Sequence, residues 1–321
     1  MLEKLNYRRY QPSDAETIAQ IYRVSDAAIE AQHRMDAAAV RNFLAAPVID
    51  PELDTFVVER DGQMVAFAYC EFASTGHCYA DAVVDPAYWN QGMGTELLHL
   101  TEARTLERAA ASLPPEQEIA LDRGVGAGNG RAIRLFEKAG YDFIRSFNLM
   151  RIDFEQPLDL PPLPAGIRVR PFAQADTYAV YEANEEAFAD HWEHEHRSFE
   201  EWQRQVLNKV GQDLSLWLVA DDNGEIAGVC LNRPFGQDDP QLAWVGTLGV
   251  RRRWRKQGIG FALLLHSFAL FQARGFTRAG LSVDASSPTN AGAIYERAGM
   301  RVHKRILVYR KVLREAGTDE G

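Results

Sequence analysis

The stretch Trp244-Val245-Gly246-Thr247-Leu248-Gly249-Val250, followed by Arg251-Arg252-Arg253-Trp254-Arg255-Lys256-Gln257-Gly258-Ile259-Gly260 and then Phe261-Ala262-Leu263-Leu264-Leu265-His266-Ser267-Phe268, reads as a strand, a basic glycine-rich turn and a helix. The first piece is β-rich. The last has Phe261, Leu264, Leu265, Phe268 and Phe271 at spacings of three and four, which predicts an amphipathic helix. A turn of this kind is an anion site. The first N–H groups of a helix lack intrahelical partners, and the helix dipole favours negative charge there. Gly258 and Gly260 have no Cβ, so a phosphate can approach the backbone. Arg251, Arg252, Arg253, Arg255 and Lys256 concentrate positive charge around it. The alternative is a plain helix start with a solvated basic face. No Gly-Lys-Ser/Thr is present, so this is not a P-loop. The run Gly124-Val125-Gly126-Ala127-Gly128-Asn129-Gly130 never sets glycines at the first, third and sixth positions, which excludes a dinucleotide fingerprint.

Working outward, four patterns occur twice in the same order. Tyr7-Arg8-Arg9-Tyr10 with Asp14 is matched by Ile167-Arg168-Val169-Arg170 with Asp176, each a short strand leading to a helix. Asp61-Gly62 and Asn223-Gly224 each split two apolar runs, which predicts two hairpins. Gln91-Gly92-Met93-Gly94 matches Gln257-Gly258-Ile259-Gly260, and Phe136-Glu137-Lys138-Ala139-Gly140-Tyr141 matches Tyr295-Glu296-Arg297-Ala298-Gly299-Met300. Between the copies, Pro157, Pro161, Pro162 and Pro164 exclude a helix or central strand. The expected organisation is an N-terminal α/β domain at 1–154, a stiff linker at 155–164, a homologous C-terminal domain at 165–315 and a short polar tail at 316–321.

Composition narrows the function. The chain has 321 residues, 46% of them hydrophobic and 25% charged, which excludes disordered and coiled-coil classes. A net charge of −10 lacks the basic footprint of a nucleic-acid binder and favours a small cationic partner. Cys70, Cys78 and Cys230 form neither a disulfide framework nor a zinc motif. No apolar run is long enough to cross a membrane, and Met1–Asn6 does not begin like a signal peptide. A cytoplasmic protein without nucleic-acid or membrane partners is expected.

On these motifs the chain resembles the GNAT superfamily of acyl-CoA-dependent N-acetyltransferases. The family motif Arg/Gln-x-x-Gly-x-Gly/Ala is matched by Arg255-Lys256-Gln257-Gly258-Ile259-Gly260. The resemblance implies two tandem α/β (α+β) domains, each a mixed, mainly antiparallel sheet flanked by helices. It also implies that coenzyme A pyrophosphate binds the turn amides, while Leu248, Gly249 and Val250 contact the pantetheine arm through backbone groups. The family tyrosine that protonates the departing thiolate corresponds to Tyr295. The family asparagine seven residues earlier falls on Pro288, with Ser287 and Asn290 as the nearby polar substitutes. In the first copy, Trp89-Asn90-Gln91-Gly92-Met93-Gly94 has Trp where Arg or Gln is expected. Asn129 stands seven before Phe136, but Phe136 replaces the tyrosine and cannot donate a proton. The N-terminal domain is therefore expected to be degenerate: structural, or able to bind coenzyme A through Gln91, Gly92 and Gly94 without efficient turnover. The duplication over nearly the whole chain is similar to mycothiol synthases and related duplicated acetyltransferases. Where those enzymes carry an acceptor-linked carboxylate on the strand, this chain has Trp244.

The implied reaction is direct attack of a primary amine of a small molecule on the thioester of acetyl-CoA. A strand N–H near Val250 would polarise the carbonyl. For the base, Asp190-His191-Trp192-Glu193-His194-Glu195-His196 offers an acidic, aromatic wall, with Glu193 or His191 relaying a proton; its bland alternative is an exposed loop. His191, His194 and His196 match no zinc-protease spacing, and no metal is expected. Asp238 and Asp239 precede the strand and suit a solvated hairpin tip better than an amine guide. The alternatives are a protein or peptide N-acetyltransferase and a non-catalytic coenzyme A-binding sensor or scaffold. A monomer or homodimer is expected.

Overall fold

A computed structural model describes residues 5–29, 36–156, 158–190, 196–208, 211–235, 239–286 and 291–317. The first half runs β1 (Leu5–Arg8), α1 (Ala15–Ala28), α2 (Ala37–Leu44), β2 (Thr55–Arg60), β3 (Gln63–Glu71), β4 (His77–Val84), α3 (Met93–Ser112), β5 (Ile119–Gly126), α4 (Gly130–Lys138) and β6 (Asp142–Asp153). The second runs β7 (Ile167–Pro171), α5 (Thr177–Phe188), α6 (Phe199–Trp202), β8 (Leu218–Asp222), β9 (Glu225–Pro234), β10 (Leu242–Val250), α7 (Ile259–Ala273), β11 (Arg278–Asp284), α8 (Ala291–Arg297) and β12 (Arg301–Arg314).

The repetition extends to single bonds. Arg8 donates to Asp14 at 2.6 Å and to Glu59 at 2.6 Å; Arg170 donates to Asp176 at 2.6 Å and to Asp221 at 3.0 Å. The same aspartates accept from the backbone N–H of Gln11 at 2.7 Å and of Ala173 at 2.8 Å. In each copy one guanidinium fork ties the first strand to the start of the first helix and to the neighbouring hairpin. Hydrogen bonding from Arg170 holds the Asp176 carboxyl below the usual carboxylate range. Asp61 and Asn223 take φ values of 51° and 52°, the left-handed backbone that a two-residue hairpin needs.

The first-half sheet is ordered β1-β2-β3-β4-β5, the second β7-β8-β9-β10-β11. Pairings are antiparallel except β4 with β5 and β10 with β11. Each parallel pair is joined by a long helix, α3 or α7, as a parallel connection requires. α7 buries Leu263, Leu264, Phe268 and Phe271 against Ala243, Val245, Ala279 and Leu281 on one sheet face. On the other face, Val180, Tyr181 and Ala183 of α5 meet Val229, Leu231, Trp202 and Trp217. Full burial of each such large side chain stabilises by roughly 1.5–3 kcal/mol. Phe261, expected on the buried stripe of α7, instead sits partly open with the Arg297 guanidinium 3.6 Å from its ring centre.

The sixth strand of each sheet departs from chain order. Two compact units are formed, Met1–Ser146 with Ile306–Gly321, and Phe147–Arg305. In the first, β5 pairs with the latter part of β12, from Ile306↔Gly126 to Arg314↔Ile119. In the second, β11 pairs with the latter part of β6, from Asp284↔Phe147 to Arg278↔Asp153. A linear division at 154 and 165 therefore has to be redrawn: each unit takes its last strand from the other half of the chain. Side chains hold the exchange. Arg310 pairs bidentately with Asp122 at 2.6 and 2.7 Å, Lys311 reaches Glu102 at 3.0 Å, and Met150 and Ile152 pack into the α7 core. The described residues of 155–164 carry no helix or strand. Among the described residues, no helix is long and apolar enough to cross a membrane.

Candidate active site

In the second unit, β10 pairs with β11 only at Leu242↔Arg278, Ala243↔Ala279 and Trp244↔Gly280. Beyond Trp244, β10 continues to Val250 along β9 alone, with a bulge between Val245 and Thr247, while β11 continues along β6. The two strands part like the arms of a V. Their facing edges offer backbone N–H and C=O groups to an extended, amide-bearing chain.

The glycine turn closes the open end of the β10 arm. Gly258 takes φ +83° at the N-cap of α7, and a Cβ there would meet only open space. No side chain caps the helix, so its first N–H groups face outward. Lys256 (φ +63°), Gln257 and Gly258 are exposed, whereas the Ile259 side chain is buried and contributes its backbone alone. Gly260 backs onto Val250, and Gly249 lies against Ala187 and Phe188 of α5 with no room for a side chain. Leu248 and Val250 pack partly into the α7 core, which leaves their backbone for any ligand.

The basic cluster is largely neutralised. Arg251 donates to Glu186 at 2.6 Å, Arg252 to Asp190 at 2.5 Å, and Arg253 to Glu225 at 3.3 Å. Hydrogen bonds from Arg252 and Arg255 hold Asp190 below its ordinary value. Arg255 donates to Val250 O at 3.1 Å, to Ala187 O at 3.1 Å and to Asp190 at 3.3 Å. These three bonds tie the turn to β10 and α5. Trp89 makes the counterpart of the first in the first unit, where its Nε1 donates to Val84 O at 2.8 Å. The departure from the motif at Trp89 therefore preserves the bond to the carbonyl five residues back.

Tyr295, on α8, packs in the α7 core with 9% of its surface exposed. Burial pushes its phenol up to about 12, so it keeps its proton through the neutral range and can only donate. Among the described residues its hydroxyl has no hydrogen-bond partner. Asn290, Ser287, Pro288, Glu193, His191 and His194 lie outside the described residues. Among the described residues, no cluster of three His, Cys, Asp or Glu side chains could hold a metal.

The first unit repeats the V, with β4 and β5 paired only at His77↔Ala120, Cys78↔Leu121 and Tyr79↔Asp122. Gly92 takes φ +87° before α3. A cavity of about 400 Å³ opens here, lined by Ala82, Val84, Gly92, Gly94, Phe136 and the exposed Arg134 among others. Asp81 on its wall accepts from Tyr22 at 3.0 Å. Gln91 accepts from Arg60 at 2.6 Å, and Asn129 caps α4 through Ala132 N at 3.1 Å. Arg131 lies 4.2 Å from the Trp89 ring centre.

A mixed sheet with a V between its parallel strands, and a left-handed glycine turn opening the crossover helix, occurs twice and defines an acyl-group transferase of duplicated design. The model of the Acetyltransferase (GNAT) family matches residues 15–141 and 177–300. The chain belongs to this family and is an acetyltransferase. It is 30% identical to the mycothiol acetyltransferase of Streptomyces avermitilis over 237 residues, covering 72% of this chain and 70% of that protein. It is 27% identical to that of Thermobispora bispora over 320 residues, covering 94% and 98%. A crystal structure of a GCN5-related N-acetyltransferase from Sphaerobacter thermophilus matches with a TM-score of 0.87 and 31% identity, over 98% and 97% of the two chains. A tandem GNAT protein from the clavulanic acid pathway shares the fold at 16% identity, with a TM-score of 0.73 over 98% and 100% of the chains.

Three residues outside the sequence expectations stand beside the V: Arg233, Arg151 and Gly280. Arg233 is opposite Trp244, and Gly280 is opposite both Trp244 and Arg151. Only strand register brings them together. Nothing in the spacing of three residues on three strands announces it.

Proposed function

We propose that the second unit transfers an acetyl group from acetyl-CoA to a primary amine of a small molecule by direct attack of the amine. The supporting observation is the V that opens after Trp244, with the uncapped, left-handed turn at Gly258 on its open side. Acetyl-CoA supplies the activated acyl group. The N–H groups of Gly258, Ile259 and Gly260, with Gln257 and Lys256 beside them, bind the pyrophosphate. The backbone of Leu248, Gly249 and Val250 orients the extended arm, and a β10 N–H polarises the acyl carbonyl. Tyr295 donates the proton that the leaving thiolate takes up; its raised pKa suits a donor. Asn290 is proposed to contribute to coenzyme A binding, and Glu193 and His191 remain the residues proposed to relay the amine proton. The relatives named mycothiol acetyltransferase favour a small-molecule acceptor over a protein one. The first unit binds coenzyme A at Gln91, Gly92 and Gly94 without turnover, because Phe136 offers no proton.

The test is release of free thiol from acetyl-CoA across a panel of amines, on the native protein and on Tyr295→Phe. Acceptor-dependent release is expected, with kcat reduced roughly 100-fold or more in the variant and coenzyme A affinity retained. The variant keeps the shape of the native pH profile, since neither side chain titrates in the neutral range. An undiminished kcat would remove Tyr295 from the mechanism. Thiol release independent of every acceptor would favour a non-catalytic binder.

A further inference from the structure

On β9, β10, β11 and β6, the residues facing α7 include Cys230, Ala243, Val245, Ala279, Leu281 and Met150. Side chains alternate along a strand, so Arg233, Trp244, Gly280 and Arg151 share the opposite face, the one covered by α5. Register makes them one row across the sheet: Arg233↔Trp244↔Gly280↔Arg151. The indole of Trp244 lies on Gly280, where a Cβ would come within 2.8 Å of the ring. The Arg233 guanidinium stands 5.8 Å from the Trp244 ring centre, and the Phe235 ring 5.2 Å away.

Many guanidinium groups of the unit are neutralised. Arg170, Arg197, Arg251, Arg252, Arg255 and Arg278 each pair with a carboxylate. Arg233 has none within ion-pair distance among the described residues. Its hydrogen bond goes to the neighbouring Pro234 O at 3.3 Å. Burial lowers its pKa, with no acidic group acting the other way. The Arg151 Nε is buried without a partner, and its Nη2 reaches the exposed Asp153 only at 3.5 Å. Burial, then the charge of Arg151, also lowers the pKa of His303. A partly buried guanidinium without a carboxylate, as at Arg233, is costly unless an anion joins it, and Arg151 has only its long contact with the exposed Asp153.

The row lies at the closed end of the V. Trp244↔Gly280 is the last parallel pair, and the glycine turn sits at the other end of β10. A donor held along the V with its phosphates at the turn directs its acyl group toward this row, where the acceptor must arrive. We propose that the acceptor amine carries an oxyanion group, a carboxylate or a phosphate, bound by Arg233 and Arg151 beside Trp244. This reverses the cationic acceptor suggested by net charge, and it rests on the second unit's being the site of transfer. A planar guanidinium fork suits either oxyanion, and the indole suits the carbon skeleton between amine and anion.

The experiment uses matched acceptor pairs with the full-length protein: an amino acid against its carboxamide, and an amino-sugar phosphate against the free amino sugar. In thiol release, the anionic member of at least one pair is expected to lead in kcat/KM by roughly 10- to 100-fold. Which pair leads tells carboxylate from phosphate. In Arg233→Gln and, separately, Arg151→Gln, that ratio falls toward one through KM, and Arg233→Lys restores part of it. Equal kcat/KM within both native pairs overturns the proposal, as does a variant that slows both members equally. Calorimetric titration of the same pairs reads binding without turnover. Arg233-dependent binding of the anionic member without thiol release would keep this proposal and overturn the reading of the transfer site. Turnover of neutral and anionic amines alike would do the opposite.

Discussion

Trp89 Nε1 and Arg255 Nε each donate to the carbonyl five residues back, Val84 O at 2.8 Å and Val250 O at 3.1 Å. An indole and a guanidinium share little beyond a directed N–H at the right reach, and that is the property the turn uses. Arg255 additionally takes Ala187 O, joining α5 to the turn. Arg255→Leu strands those carbonyls and is expected to cost about 1–3 kcal/mol, read as a lowered midpoint in denaturant. Arg255→Trp is expected to cost less, since the first unit already uses that solution, and to leave coenzyme A affinity little changed. If Arg255→Trp weakened coenzyme A as much as Arg255→Glu, the guanidinium would be a phosphate ligand after all.

At the scale of elements, the arrangement built twice is a strand, a turn and a helix laid beside a diverging partner strand. α3 after β4 and α7 after β10 both open on a glycine with positive φ and no side-chain cap. Both therefore present bare N–H groups to an anion. The first unit adds exposed Arg131, Arg134 and Lys138 around its 400 Å³ cavity. Two coenzyme A molecules per chain are expected by calorimetry. Arg134→Glu should weaken one of them roughly tenfold, the scale of one lost charge-assisted contact, without changing turnover. A stoichiometry of one, unaffected by Arg134→Glu, would make the first unit purely structural.

At the scale of the whole molecule, neither half of the chain can complete its own sheet. The first unit needs Ile306–Arg314 on β5, with Arg310 on Asp122. The second needs Phe147–Asp153 on β11. Fragments 1–156 and 158–321, expressed separately, each lack the strand that covers an edge, and exposed edges are open to wrong pairing. Each is expected to lack a cooperative thermal transition, and a mixture of the two to regain it. Cleavage of the intact protein within residues 155–164, where the described residues form no helix or strand, should leave both units folded. Cooperative unfolding of either isolated fragment would show that the exchange is dispensable.

Local patterns carried a great deal by themselves. The duplicated Arg–Asp, hairpin, glycine-turn and Gly140/Gly299 signals located the elements, because turns and helix starts depend on a few neighbouring residues. The glycine turn before α7 and the helix end after Tyr295 were legible for the same reason. Strand partnership was not. β6 and β12 follow equivalent helix ends and carry similar alternation, so nothing within either strand says which sheet edge it will cover. Tertiary structure made that choice through Asp122, Glu102 and the α7 core. It also brought Arg233 and Arg151 into one row with Trp244. Net charge is a sum over the surface, whereas a row such as Arg233, Trp244, Gly280 and Arg151 comes from three separate strand registers acting together.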